Sequence, residues 1–205
     1  MQARFADALE LLQRAREDSN GHDHLQCYVS VQEAVLALDQ GRVADAIPSL
    51  VVLSQSCQEN SLLLEVLNLL AWHVYIQGSW SHALDFFRQA SSKGVFNEGG
   101  QNLQLAIGFA GLAAAQLRLQ ADTTDMMHSA VRAEAYLTPF GDKEIDGLQI
   151  AYYLLAACKS YMGLSKEADR LLACATKVQK ALYSASHPAG TRVWFCLPSG
   201  NISTC

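Results

Sequence analysis

Apolar residues recur along this chain at the three- and four-residue intervals that place them on one face of a helix. Ala8, Leu12 and Ala15 show this spacing near the N-terminus. The same small–large–small pattern returns twice further along, as Ala83, Phe87, Ala90 and as Ala168, Leu172, Ala175. A pattern that repeats within one chain predicts an array of similar helical units.

Breaks between the helical segments fall at Gly41, Gly78 and Gly163, and the pattern places a fourth break at Ala121. Each break separates two apolar segments of helical length and predicts a tight turn between antiparallel helices. The breaks are 37, 43 and 42 residues apart along the chain. Small residues shortly after each break mark places where two helices approach closely.

These residues resemble the tetratricopeptide repeat, a pair of antiparallel helices with small residues at fixed places and glycine at the turn. The best match is formed by Leu67, Leu70, Ala71, Val74, Gly78, Ala83, Phe87 and Ala90. Segments from Cys27, Ile107 and Gln149 match less fully. The resemblance implies an all-α fold, a right-handed solenoid of stacked helix pairs. Since repeats of that family span about 34 residues, the wider spacing predicts longer connections at 97–100 and 138–142.

The repeats divide the chain into a helical-repeat domain, residues 1–185, and a C-terminal tail, residues 186–205. The domain begins with a half repeat at 1–18, and four repeats follow at about 24–57, 61–93, 101–137 and 145–183. The half repeat lacks its first helix. We therefore expect a fragment or short isoform of a longer array, or alternatively a helix that caps the array from Met1 onward. We expect a poorly ordered tail, the alternative being a strand-like segment that docks on the last helix pair.

Charge and hydropathy exclude several classes of function. The chain of 205 residues carries 15 basic and 20 acidic residues, and it lacks the basic stripe that nucleic-acid binding requires. Its most apolar segment, residues 61–76, is interrupted by Glu65, Asn68 and His73, so we expect no membrane span. The N-terminal residues do not form a signal peptide. We expect an intracellular protein, cytoplasmic or nuclear.

The six cysteines do not predict a metal site or a cofactor. They occupy positions 27, 57, 158, 174, 196 and 205, without a Cys-x-x-Cys pair. We expect buried structural thiols in a reducing compartment. His22, Asp23 and His24 form the tightest metal-like group, but Asp23 is better explained as the N-cap of the helix that follows. We therefore expect no metal and no cofactor.

Candidate partner contacts follow from the resemblance, in which the first helix of each pair lines a concave groove. Asn68 and Tyr153 occupy positions that face this groove in related repeats, and ordinary inter-helix packing is the alternative. Trp72 and Trp80 are expected to pack inside the array rather than to anchor a partner. Arg118 and Lys159 do not match the spacing of the clamp with which some relatives bind a chaperone's terminal carboxylate, so that activity is not expected.

The neutral, apolar groove that this pattern predicts suits an amphipathic helix or an extended segment of another protein. We therefore expect a protein–protein interaction scaffold or adaptor. The alternative is an internal structural segment of a subunit in a large multiprotein assembly. An enzyme is a remote third option, because we find no nucleophile with its base, and Gly99–Gly100 lacks the spacing of a phosphate-binding loop.

Overall fold

The protein is all-α. The computed structural model describes residues 2–94, 103–141, 143, 145 and 147–182, so the predicted tail at 186–205 and the predicted connection at 97–100 lie outside the described residues. The described residues contain no β-strand. They form nine helices: α1 (Gln2–Asp18), α2 (Asp23–Asp39), α3 (Val43–Ser56), α4 (Asn60–Ile76), α5 (Trp80–Gly94), α6 (Leu103–Arg118), α7 (Thr123–Leu137), α8 (Leu148–Tyr161) and α9 (Ser165–Leu182).

The even-numbered helices form a row along the molecule. Each helix contacts the next one in the chain, and α4 also contacts both α2 and α6, while α6 contacts α8. The odd-numbered helices α3, α5 and α7 each pack against the even-numbered helices before and after them. Neighbours in sequence are therefore neighbours in space.

Helix composition explains why the two sets of helices differ in burial. Every residue of α6 from Leu105 to Gln116 is buried, because this segment is apolar on all sides. The second helices are amphipathic instead. On α5, for example, Ala83, Phe87 and Ala90 are fully buried, whereas the polar residues on its opposite side are exposed.

Two hydrophobic cores share helix α4. The larger core extends from Leu64 and Leu67 of α4 to α9, and the smaller core joins Val66 and Leu70 of α4 to α2 and α3. The side chains of α1 from residue 6 to residue 18 belong to neither core, since none of them is buried. The stability of the chain is thus concentrated in its middle and C-terminal helices.

Three of the four predicted turn positions are correct. Gly41, Gly78 and Gly163 adopt positive φ angles of 83°, 80° and 75°. The prediction of Ala121 at the third turn is wrong by one residue, because Gln120 holds the left-handed conformation there, with φ 54°. The turns consequently lie 37, 42 and 43 residues apart.

The same hydrogen bond closes each of these turns. The backbone N–H of the residue after the left-handed position donates to the carbonyl five residues earlier, as from Arg42 to Ala37 and from Ala121 to Gln116. This is the arrangement of a Schellman helix end, which normally uses glycine. Gln120 therefore occupies a place that its backbone favours less than glycine would.

We predict that Gln120→Gly stabilises the protein by about 0.5–1 kcal/mol. A residue with a Cβ in the left-handed conformation is unfavourable by about 1–2 kcal/mol, and glycine removes this cost. Part of the gain in stability is offset because glycine is freer in the unfolded chain. Gln120→Ala is the control, since it shortens the side chain but keeps the Cβ. Urea unfolding measures both variants, and an equal effect of the two substitutions would contradict this explanation.

Two glycines on α6 differ sharply in the space around them. A Cβ on Gly111 would lie 2.2–2.5 Å from ring carbons of Phe87, which is fully buried. A Cβ on Gly108 would meet its nearest atom, Asn68 Oδ1, at 3.4 Å and the Ala90 Cβ at 3.6 Å. Gly111 is therefore required for the close approach of α5 and α6, and Gly108 is not.

We predict opposite effects for the two alanine substitutions. Gly108→Ala should be neutral or stabilising by up to about 1 kcal/mol, because alanine favours a helix. Gly111→Ala gains the same propensity but overpacks the Phe87 ring, at a cost of about 1–3 kcal/mol, so we expect a net loss. Thermal unfolding compares the pair. Adding Phe87→Leu should lower the stability cost of Gly111→Ala. If Gly111→Ala costs as much in the Phe87→Leu background as in the parent, the Phe87 ring is not the obstacle.

Candidate partner-binding site

Asn68 and Tyr153, the predicted groove residues, lie inside the helical array. Their exposed fractions are 3% and 6%. Asn68 Nδ2 donates to the backbone carbonyl of Gln104 at 2.7 Å and to its side-chain oxygen at 3.0 Å, and so joins α4 to α6. The Tyr153 hydroxyl donates to Gln179 Oε1 at 2.8 Å and joins α8 to α9. Both side chains have the inter-helix packing role that was the alternative interpretation.

The expected open groove along the first helices does not extend over α6. Twelve consecutive residues of this helix are buried between its neighbours. The physical reason is visible in the sequence, since every residue from Leu105 to Ala115 is apolar or glycine and this run covers all directions around the helix. An apolar helix without a polar face is covered on all sides. Exposed surface for a partner must therefore come from other helices.

The basic residues of the first helices have partners within the chain. The Lys159 ammonium lies 2.9 Å from Glu134 Oε2 and 2.8 Å from Glu167 Oε2, so it ties α8 to both α7 and α9. Arg118 lies over the Trp80 ring, 5.8 Å from its centre, and its Nε donates to the Tyr75 hydroxyl at 3.4 Å. Both cations serve contacts between helices.

Trp72 and Trp80 pack as the sequence predicts. Trp72 is buried, and its ring stacks on Tyr75 with ring centres 6.1 Å apart. Trp80 is half-buried against the larger core, beneath Arg118. Neither indole is presented as an exposed anchor for a partner.

The charges around Lys159 stabilise one another. Burial lowers the pKa of the Lys159 ammonium, but the hydrogen bonds and negative charges of Glu167 and Glu134 outweigh this effect and raise the pKa above its ordinary value. The hydrogen bond from Lys159 in turn lowers the pKa of the Glu167 carboxyl. The side chain of Lys159 is only 9% exposed, whereas those of Glu134 and Glu167 are 38% and 47% exposed.

We predict that Lys159→Met destabilises the protein at pH 7 by roughly 1–2 kcal/mol. Removing one member of a fully buried ion pair costs about 3–5 kcal/mol, but here water can solvate the two remaining carboxylates. Lys166→Met, at an exposed lysine on α9, is the control and should have little effect. Urea unfolding measures the difference in stability between the variants.

The pH dependence of that difference follows from the pKa shifts. Because the pKa of Glu167 is lowered on folding, its ion pair stabilises the folded protein fully above pH 4.5, the ordinary pKa of this carboxyl. This stabilisation is lost as the pH falls further. Because the pKa of Lys159 is raised, its contribution is lost only as the pH rises above 10.5. The cost of Lys159→Met should therefore shrink towards pH 3. A cost that is equal at pH 3 and pH 7 would indicate lost packing rather than lost ion pairs.

A crevice of about 330 Å³ opens between the second helices α5 and α7, with α6 as its floor. Cationic, hydroxyl and aromatic side chains surround it. The lining residues are Arg88, Ser91 and Ser92 of α5, Phe109, Leu112 and Gln116 of α6, and Asp125, His128, Ser129 and Arg132 of α7. The crevice thus combines a partly apolar floor with polar walls, as small binding sites commonly do.

Two side chains in this crevice have unused binding capacity. The Arg132 guanidinium lies 5.4 Å from the centre of the Phe109 ring and forms no ion pair with a described residue. The side-chain oxygen of Gln116 is buried and has no hydrogen-bond partner in the described part of the chain. A buried carbonyl oxygen without a donor is unfavourable by about 1–3 kcal/mol, so a ligand that supplies an N–H would be favoured.

A second crevice occupies the corresponding place between α7 and α9. It measures about 300 Å³, has α8 as its floor, and is lined by Glu134, Leu137, Thr138, Gly141, Tyr152, Leu155, Arg170, Leu171 and Cys174. Glu134 on its wall is already paired with Lys159. Sequence reasoning missed both crevices, because each depends on how the residues of three consecutive helices come together when the helices pack.

The described residues include no cluster of three His, Cys, Asp or Glu side chains that could hold a metal ion. The rings of His22 and His24 meet edge to face, with centres 6.2 Å apart. The prediction of Asp23 as an N-cap is wrong by one residue, because His22 occupies that position and Asp23 begins the helix. In the first turn its carboxylate still interacts favourably with the helix dipole.

Within the described ranges, no helix is both long and apolar enough to cross a membrane.

Chains of known structure share this helical arrangement. The crystal structure of BtubC (BKLC) from P. vanneervenii superposes with a TM-score of 0.60, over 89% of this chain and 77% of that chain, at 16% sequence identity. At this identity the likeness shows the fold alone, and it supports an all-α, helical repeat-like architecture. No protein-family model and no curated protein matches the sequence.

Proposed function

We propose that this protein is a tetratricopeptide-like solenoid that binds other proteins, acting as a scaffold or adaptor. The repeated turn at Gly41, Gly78, Gln120 and Gly163 supports the repeat assignment, because each turn ends one helix with the same backbone hydrogen bond. The stacking of every even-numbered helix on the next supports a continuous array. Arrays of this kind present extended surfaces to partners.

The observation that carries the binding function is the crevice between α5 and α7. Its unpaired Gln116 oxygen needs an N–H donor, and the Arg132 guanidinium is available to a carboxylate. An extended peptide segment supplies both groups, through its backbone N–H and an Asp or Glu side chain. A volume of about 330 Å³ accommodates a few side chains of such a segment rather than a whole helix.

Selection from a library of random peptides displayed on phage tests this function. We expect the immobilised protein to enrich peptides that carry an acidic residue. Binding of the selected peptides should fall at least about tenfold, equivalent to 1.4 kcal/mol, in Arg132→Glu. Lys166→Glu makes the same change of charge at an exposed position on α9 and should leave binding within about twofold of the parent.

Two results of this selection would contradict the proposal. Enriched peptides that bind Arg132→Glu and the parent equally well would place recognition outside the crevice. A selection that enriches no sequence would argue against recognition of short peptides altogether. Circular dichroism of both variants would establish that the exchanged charge leaves the helices intact.

A second candidate function is that of a structural segment within a large multiprotein assembly. It is favoured by the apolar residues that α1 and α2 expose, since Leu11 is 64% exposed and Leu9, Leu25 and Tyr28 are exposed as well. Large apolar side chains exposed on adjacent helices favour a surface that another chain covers. An assembly role predicts that Leu11→Lys abolishes the capture of a fixed set of large partners, whereas Arg132→Glu does not.

A further inference from the structure

Two cysteines that are far apart in sequence have their sulfur atoms in contact. Cys27 lies on α2, and Cys57 directly follows the last residue of α3. Their Sγ atoms are 2.7 Å apart, although both residues are free thiols. A disulfide bond requires about 2.05 Å, so only a small movement of either side chain separates this contact from a covalent bond. No other two described cysteines have their sulfur atoms in hydrogen-bond contact.

The surroundings keep the Cys27 thiol protonated at neutral pH. Burial raises the pKa of the Cys27 thiol to about 12, and the Cys57 thiol and Glu59 add to the effect. Since the thiolate is the reactive form, Cys27 resists incidental oxidation. Cys27 is nevertheless partly exposed, whereas Cys57 is buried. A small reagent can therefore reach Cys27 first, and Cys57 is in place to complete the reaction.

We propose that Cys27 and Cys57 are a redox-active pair that forms a reversible disulfide with a low-molecular-weight disulfide, such as oxidised glutathione, as the oxidant. The Cys27 thiolate attacks one sulfur of the oxidant, so that a mixed disulfide forms and one glutathione thiolate leaves. The Cys57 thiolate then attacks the Cys27 sulfur and expels the second glutathione. The two protein thiols lose two electrons, the oxidant is reduced to two thiols, and the two protons pass to the departing sulfurs.

The new bond fastens helix α2 to the end of α3. The two cysteines are 30 residues apart in sequence, so the bond closes a loop that contains most of α2 and all of α3. A link of this length restricts the unfolded chain and disfavours local opening. The α2–α3 pair belongs to the smaller core, where such a restriction has most effect. Oxidation thereby makes this end of the array more rigid without altering the crevice between α5 and α7.

Equilibration of the full chain with oxidised and reduced glutathione in varied ratio tests the proposal. The tail cysteines are first removed as Cys196→Ser and Cys205→Ser, so that they cannot compete. We expect an intact mass lower by two hydrogen atoms and a cross-linked peptide that contains Cys27 and Cys57. Amide exchange should slow in α2 and α3, and the melting temperature should rise. Added dithiothreitol should reverse these changes.

Matched single variants separate this pair from the other thiols. Cys27→Ala should abolish the cross-link, whereas Cys158→Ala should retain it, and reduced samples of both should remain helical by circular dichroism. A stable glutathione adduct on Cys27 without ring closure would overturn the proposal, because it would show that Cys57 cannot reach. A mass that is unchanged at every ratio of oxidised to reduced glutathione would also overturn the proposal. A cross-link that joins other cysteines would do the same.

Discussion

The close packing of α6 against α4, α5, α7 and α8 is the interaction on which the remaining structure depends. This helix has no polar face, so the hydrophobic effect favours a neighbour on every side. Gly111 allows the Phe87 ring of α5 to approach its surface. The even-numbered row and the placement of the second helices beside it both follow from covering this one element.

Apolar packing alone does not fix how neighbouring helices slide along one another. Directional contacts between the helices do so, because each joins a defined pair of residues. Asn68 pairs with Gln104, Tyr153 pairs with Gln179, and Lys159 connects Glu134 to Glu167. Each of these links joins different helices. Asn68 and Tyr153, the candidate partner contacts of the sequence, thus form hydrogen bonds between helices of the array.

Local sequence signals predicted the local features of the fold well. The helical class and the turns at Gly41, Gly78 and Gly163 follow from residue spacing and from glycine's freedom at positive φ. The third turn was misplaced because Gln120 carries no such signal. Contacts across the array could not be predicted in the same way. The Lys159 ion pairs span 25 and 8 residues and the Cys27–Cys57 contact spans 30, so they depend on how helices stack.

The same stacking decides where a partner can gain binding energy. With α6 covered on all sides, a ligand has to approach from the second helices, and the two crevices between them differ in charge. In the crevice between α7 and α9, a ligand that recruits Glu134 must compete with Lys159 for it. In the crevice between α5 and α7, Arg132 lies over the Phe109 ring and forms no ion pair with a described residue, and Gln116 keeps an oxygen without a partner there. A ligand there breaks no existing ion pair. Recognition at the crevice between α5 and α7 consequently has the smaller desolvation and rearrangement cost, which supports it as the proposed binding site.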